Sequence, residues 1–498
     1  MKRHAPAARA DVPAPAAGSA LPAGPGRQPG APFGWRFVAP LMTGAALNPV
    51  NSSLIATALV PIGRAFGIPL GRTAVLVAVL YLASAIAQPA SGKLAEHLGP
   101  RRVFLAGIVI VLAAGILGGT ARSFTVVLAA RVLIGIGTSA GYPTAMLLIR
   151  ARTADAGLRE PPGGVLAALS VTGQATAAAG LPLGGLLVGA AGWRAAFLIN
   201  LPFALAALVL ALAYVPADNP REHGDAGWRR AARICGELDI VGMLLFAAAV
   251  TALLVFLLSL AHPDWAALAV TVAAAGGLSW WELRAATPFF DLRALAARPA
   301  LAATYARSGV TFLIIYTILY GVAQWLQAGP GLSATAAGLA MLPTAAIAVA
   351  VSVPAGRRNL VRVPLVAAAG AAVTGSAGLA VLPADVVVVV LITLIFGVTV
   401  GLGSVANQAA LYAQAPGGEL GTDSGLLRTF NYLGAIGSAA VISAAFRHGA
   451  TSHGLHVIGL VLLPLSAAVL AATLTARTLP RFLPGADAST GETKEIAT

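Results

Sequence analysis

The residues with chemistry to offer in this chain of 498 are polar groups stranded in apolar surroundings. What they support is binding and passage rather than bond-making. Asn48-Pro49-Val50-Asn51-Ser52-Ser53 places four polar side chains and a helix breaker near the middle of an apolar run. Polar groups at that depth are costly unless they line a cavity, and a proline-interrupted helix at mid-membrane points to a transport site. The competing explanation is polar packing between helices. The same reasoning marks Gln88, Tyr142, Gln174, Arg307, Tyr316, Tyr320, Gln324, Asn407 and Asn431. A mostly apolar pocket with a few amides and aromatics suits a neutral or amphipathic small molecule; Arg307 and Arg428, where they face it, would favour an anion. No zinc-ligand cluster, nucleophile–base arrangement or Gly-Lys-Ser/Thr phosphate loop is present, so the expectation is no enzyme, no cofactor, no metal and no P-loop ATP motor.

A second constellation is Gly92-Lys93-Leu94-Ala95-Glu96-His97-Leu98-Gly99-Pro100-Arg101-Arg102, a charged stretch expected to form a short turn between two apolar runs. Glycines permit tight turning, and Glu96 can pair with Arg101, Arg102 or a helix end across the molecule. An exposed pair of this kind is worth about 0–1 kcal/mol, which suits a latch that opens each cycle. Arg131, well inside an apolar run, needs carbonyls, polar side chains or water around it, either as a structural clamp or as a coupling residue. Gly173, Gly180, Gly184 and Gly185 give one helix a small face along which a neighbour can pack closely or slide, and Pro182 invites a bend there. Acids are scarce: between residues 37 and 217 only Glu96, Asp155 and Glu160 occur. Asp423, five residues before Arg428, is the remaining candidate proton carrier; the other reading is an ordinary acid in a helix's first turn, where the dipole favours it.

These residues must be positioned by membrane helices. The chain is 58% hydrophobic and 10% charged, against about 25% charged in soluble domains, and apolar runs of bilayer-spanning length recur throughout. They are read at 37–58, 74–91, 103–120, 124–149, 163–188, 194–214, 238–260, 265–282, 301–328, 335–354, 363–382, 386–412, 422–446 and 455–476, an all-α protein of fourteen spans. The net charge of +14 is topological rather than a nucleic-acid signal. With the amino terminus inside, 24 of the 32 Lys/Arg fall in cytoplasmic segments, as loop charge predicts. The longest loop, 215–237, and the next, 283–300, bracket two spans, with six before and six after. That divides the chain into a disordered cytoplasmic tail (1–35), a six-helix bundle (36–215), an inserted pair with its loops (216–300), a second bundle (301–477) and a cytoplasmic tail (478–498). The basic turn at Gly356-Arg357-Arg358 to Arg362 echoes the one at 92–102. The single cysteine, Cys235, excludes an intrachain disulfide. Nothing demands more than a monomer in the bilayer.

Four patches make the chain resemble the major facilitator superfamily, and within it the fourteen-helix drug:proton antiporter branch. Gly92, Leu94, Glu96, Gly99 and Arg101 follow the signature between helices two and three, with Glu96, His97 and Pro100 replacing the usual Asp, Arg and Arg. Arg131, Gly135 and Gly137 resemble the fourth-helix motif, and Gly173 to Gly185 the fifth-helix antiporter motif, with Pro182 one residue late. Gly192-Trp193-Arg194 with Phe197, Asn200 and Pro202 resembles the start of the sixth helix. The resemblance implies a secondary transporter of the inner membrane that exports a small organic molecule by alternating access with a proton as coupling ion. It also implies gating by the 92–102 stretch and a coupling role for Arg131; Asp423 and Arg428 are coupling candidates by their own placement in the chain. The branch usually carries an Asp near residues 48–53, and this chain has none. An importer or uniporter without that proton site, and a transport-inactive scaffold or receptor, are the rival expectations.

Overall fold

Apolar runs remove water as a backbone partner, so each must satisfy its amides internally, and a helix does so within one segment. The computed structural model describes residues 33–158, 163–218, 239–259, 262–285, 288–289, 291–358, 360–415, 420–476 and 479–480. Cys235, most of the 215–237 loop and nearly all of both expected tails lie outside them. The long helices are α1 (Trp35–Leu54), α2 (Val75–Leu98), α3 (Pro100–Gly119), α4 (Phe124–Asp155), α5 (Gly163–Ala191), α6 (Ala195–Tyr214) and α7 (Ile240–Leu258). They continue with α8 (Trp265–Glu282), α9 (Pro299–Ala328), α10 (Ala334–Gly356), α11 (Arg362–Val381), α12 (Val386–Gln414), α13 (Leu420–Ala445) and α14 (Ser452–Thr475). Among the described residues ten helices are long and apolar enough to cross a membrane, or eleven when α1 and its bent continuation Leu59–Phe66 count as one span. α5, α8 and α13 fall outside that count. The protein is therefore an all-helical, multi-pass membrane protein, and length and apolarity alone do not return fourteen spans.

Scarce polar residues mark helix starts. Ser123, Asp239, Asp264, Asp385 and Thr451 each accept a backbone N–H at the start of α4, α7, α8, α12 and α14, satisfying donors that a helix leaves unpaired.

Two expectations are corrected. The eleven-residue turn at 92–102 does not exist as a loop: α2 runs on to Leu98, α3 begins at Pro100, and Gly99 alone connects them. Gly99 has φ +98°, a conformation that side-chain-bearing residues rarely adopt, while Pro100 fits the first helical position, where its missing N–H costs nothing. Nor is α1 interrupted at Asn48–Ser53. It continues through Pro49 to Leu54, gives way to a 3₁₀ turn at Ile55–Thr57, and then bends by 58°. Pro49 deprives Ala45 of a hydrogen-bond donor, and Ala45 lies at the edge of a cavity, where such a loss is tolerated.

In the first half α1 packs on α5 and α6, and α4 packs on α2 and α3; in the second α9 packs on α13, and α12 on α10 and α11, with α14 against α11. α7 and α8 pair with each other, and α7 leans on α2 and α13. The halves meet mainly through α5 against α10 and α2 against α13.

Candidate functional site

Between the halves lies a cavity of about 420 Å³. Its walls come from Ala45, Asn48 and Pro49 of α1, Gln88 of α2, Thr138, Ser139 and Tyr142 of α4, and Leu169, Gly173 and Ala177 of α5. The opposite wall is Ser308, Phe312 and Tyr316 of α9, Ala355 and Gly356 of α10, Ser404, Gln408 and Tyr412 of α12, and Leu427, Arg428, Asn431 and Tyr432 of α13. These positions lie toward the face that carries Gly99, Gly356 and the start of α13. A smaller lobe of about 130 Å³ shares Ala177, Phe312, Tyr316 and Ser404 and reaches Ser53.

Six of the expected cavity and coupling residues therefore converge: Asn48, Gln88, Tyr142, Tyr316, Asn431 and Arg428. Their polar atoms are held by neighbours. Asn48 Nδ2 donates to Thr138 Oγ1 (2.9 Å) and Ser84 Oγ (3.3 Å). The Tyr432 hydroxyl donates to Gln88 Oε1 (2.7 Å), joining α13 to α2, and Ser308 donates to Asn431 Oδ1 (2.6 Å), joining α9 to α13. The Arg428 guanidinium lies over the Tyr142 ring, 3.6 Å from its centre. Among the described lining residues it is the only charged one.

Other expected cavity residues serve the frame. Asn51 and Asn200 exchange amide hydrogen bonds (2.6 and 3.0 Å), tying α1 to α6. Ser52 bonds back to Asn48 O (2.8 Å), and its carbonyl accepts from the Tyr320 hydroxyl (2.7 Å). Facing neighbouring helices rather than the cavity, these two satisfy the polar-packing reading. Arg307 donates to Asn407 Oδ1 (3.0 Å) and Thr304 Oγ1 (3.1 Å), so it and Asn407 form a buried clamp between α9 and α12. Gln324 is fully buried away from the cavity. The Gln174 side chain lies outside the described residues. Arg131 is 1% exposed and reaches the carbonyls of Leu76 (3.0 Å) and Asn51 (3.2 Å) from α4, the geometry of a clamp on α2 and α1. Asp423, buried in the first turn of α13, accepts from the Tyr305 hydroxyl (3.0 Å) and lies 3.8 Å from Arg298 Nη1.

The expected latch has a different chemistry. Glu96 is exposed on α2, and among the described residues neither Arg101 nor Arg102 forms an ion pair with it. Instead the backbone amides of Arg101 and Arg102 donate to the two carboxylate oxygens of Asp218 (2.9 and 3.0 Å), beyond the end of α6. A Cβ on Gly99 would collide with that carboxylate. Asp218 caps α3, a role that its place among four acids and four arginines in the 215–237 loop does not announce.

The far face is sealed. Residues of both halves share one apolar core there, including Leu54 and Leu76 from the first and Ile318 and Phe446 from the second. The glycine-rich face of α5 is divided between two partners. A Cβ on Gly180 would strike Ser53, and one on Gly184 would approach Leu54 O at 2.6 Å, whereas one on Gly185 would approach Ala334 O of α10 at 2.6 Å. Thr335 Oγ1 also donates to Gly185 O (3.0 Å). Pro182 leaves α5 a single helix. Nearer the cavity Tyr316 stacks on Tyr320 (5.5 Å), and the Tyr81 and Tyr320 hydroxyls meet across the halves at 3.4 Å.

Tyr432, Gln408 and Tyr412 were missed as lining residues. Tyr432 stands four residues beyond Arg428, and Tyr412 four beyond Gln408, so each pair shares a helix face. That spacing was the available signal.

Two helical halves around a central cavity in an apolar, multi-pass chain define a membrane transporter. The model of the Major Facilitator Superfamily matches residues 41–439, and the chain belongs to that family, whose members are transporters and not enzymes. The chain is similar to the uncharacterized MFS-type transporter YwoD of Bacillus subtilis (strain 168), at 33% identity over 418 residues, 82% of this chain and 90% of that one. It is also similar to the multidrug resistance protein Stp of Mycobacterium tuberculosis (strain CDC 1551 / Oshkosh), at 30% identity over 64% of this chain and 58% of Stp. The structure of the nucleoside transporter NupG (D323A mutant) shares the fold with a TM-score of 0.57 at 13% identity, covering 88% of this chain and 99% of NupG.

Proposed function

We propose that the protein exports a small organic molecule from the cytoplasm across the plasma (inner) membrane by alternating access. In this reading it spans the bilayer fourteen times as a monomer, with both termini cytoplasmic. The observation that carries the reading is the cavity between the halves, which lies toward one face while a shared apolar core seals the other. Residues 36–215 and 301–477 are the moving halves and 216–300 the insert. The Lys/Arg asymmetry supports placing the face of Gly99 and Gly356 in the cytoplasm, and the likeness to Stp, a multidrug resistance protein, supports export. Gly173, Gly180, Pro182, Gly184 and Gly185 form the hinge surface. Gly92, Glu96, Gly99, Arg101 and Arg102 shape the cytoplasmic gate, with Asp218 holding its geometry.

The coupling ion in this reading is a proton, with Asp423 as carrier and Arg131 and Arg428 as responding charges. A second reading, an importer or uniporter without that site, is favoured by the cavity itself, since no described lining residue is a carboxylate. Uptake of a compound panel into inverted membrane vesicles, with an imposed proton gradient or with an ionophore, tests both. Gradient-driven uptake that the ionophore abolishes supports antiport. Equilibration without accumulation supports the second reading, and no flux for any compound overturns transport.

A further inference from the structure

Resting on the transporter reading, we propose that the cavity selects planar aromatic anions, carboxylates or sulfonates, over aromatic cations. Four of the chain's eight tyrosines line this one cavity, together with Phe312. The only charge among its described lining residues is the Arg428 guanidinium. Stacking on Tyr142 at 3.6 Å occupies one face of that group, and Tyr432 takes a hydrogen bond from it. The guanidinium still lines the cavity, and its planar N–H fork matches a carboxylate or sulfonate edge. The neighbouring amides add donors. Asn431 Oδ1 is taken by Ser308 and Gln88 Oε1 by Tyr432, so the NH₂ group is the end that those bonds leave untaken on each of these lining residues. Asn431 stands one helical turn beyond Arg428, so the two donors share a face. A cation would meet a fixed positive charge and, among the described lining residues, no carboxylate to offset it, whereas an aromatic body finds the rings of Phe312, Tyr316, Tyr412 and Tyr432 in the wall.

The test is equilibrium binding of three probes sharing one ring system to the purified full-length chain in lipid nanodiscs. The probes are naphthalene-2-sulfonate, its neutral sulfonamide and naphthalen-2-ylmethylammonium. The sulfonate is expected to bind about tenfold more tightly than the sulfonamide, with the ammonium weakest. In R428Q the ratio of sulfonate to sulfonamide affinity collapses toward one. In R428K, which keeps the charge without the fork, it falls between. A melting curve for each variant checks folding, and the ranking in the unaltered protein decides the matter even where a variant does not fold. An ammonium bound as tightly as the sulfonate, or a ratio that survives in R428Q, overturns the proposal. Because binding requires no flux, sulfonate selectivity in a protein inert in vesicles supports this proposal while defeating transport. Export of cations with no dependence on Arg428 does the reverse.

Discussion

At the residue scale, the conspicuous charge at the junction of α2 and α3 and the one that holds that junction in shape are different groups. Glu96 advertises itself by its motif, yet it is exposed and outside any ion pair among the described residues. Asp218 closes the start of α3 by accepting two backbone N–H donors, where its charge also meets the positive helix end. Gly99 exists to let that contact form: it combines a positive φ with the absence of a Cβ that would strike the carboxylate. Asp218→Ala is therefore expected to destabilise the protein by about 1 kcal/mol, the usual worth of a half-exposed cap. Gly99→Ala should cost more, about 1–3 kcal/mol, because it adds backbone strain to the loss of the cap. Thermal melting in detergent checks the order. Equal or greater stability in D218A would mean that water serves those amides as well as the carboxylate does.

At the element scale, α5 shows why spacing reveals a surface without revealing its partner. The glycines at 180, 184 and 185 are legible as a small face. What stays hidden is that 184 and 185, adjacent in sequence, point to different halves of the molecule: Gly184 to α1 and Gly185 to α10. The same limit explains α1. Its polar cluster is recognisable in sequence, but a rotation of about 100° per residue sends Asn48 to the cavity and Asn51 to Asn200, and no local signal separates them. Arg307 likewise reads as a cavity charge until Asn407 and Thr304 are seen to hold it. Gly184→Ala must displace Leu54 O within one half and is expected to destabilise the fold by about 1–3 kcal/mol of overpacking, read as a lower melting temperature. Gly185→Ala strains only the contact between halves. It should therefore spare folding and instead shift the protein away from the conformation sealed at the far face. Thiol labelling of Ser404→Cys in the cavity from the face of Gly356, in a Cys235→Ser background, reads this shift: a slower rate in G185A, with melting unchanged, is the expected result. Matching behaviour of the two variants would remove the division of roles.

At the scale of the whole molecule, class and family were readable because hydrophobic length and motif order survive as one-dimensional signals. The arrangement of the halves depends on contacts between residues far apart in sequence, which leave no such trace. The sealed far face is one of them, and it offers a direct test of alternating access. Were a Cβ present at Gly189, it would lie 3.3 Å from the Cβ of Thr335 on α10, close to the separation that a disulfide bridges, about 3.5–4.5 Å. Gly189→Cys with Thr335→Cys, in a Cys235→Ser background, should cross-link on mild oxidation and hold the far face shut. A transporter that opens each face in turn cannot complete a cycle with one face bound closed, so flux in vesicles is expected to stop on oxidation and return on reduction. Binding of a cavity ligand from the face of Gly356 should persist throughout, because the bond lies on the side away from the cavity. Flux continuing at full rate in quantitatively cross-linked protein would show that α5 and α10 need not part, and the two halves would have to move in some other way.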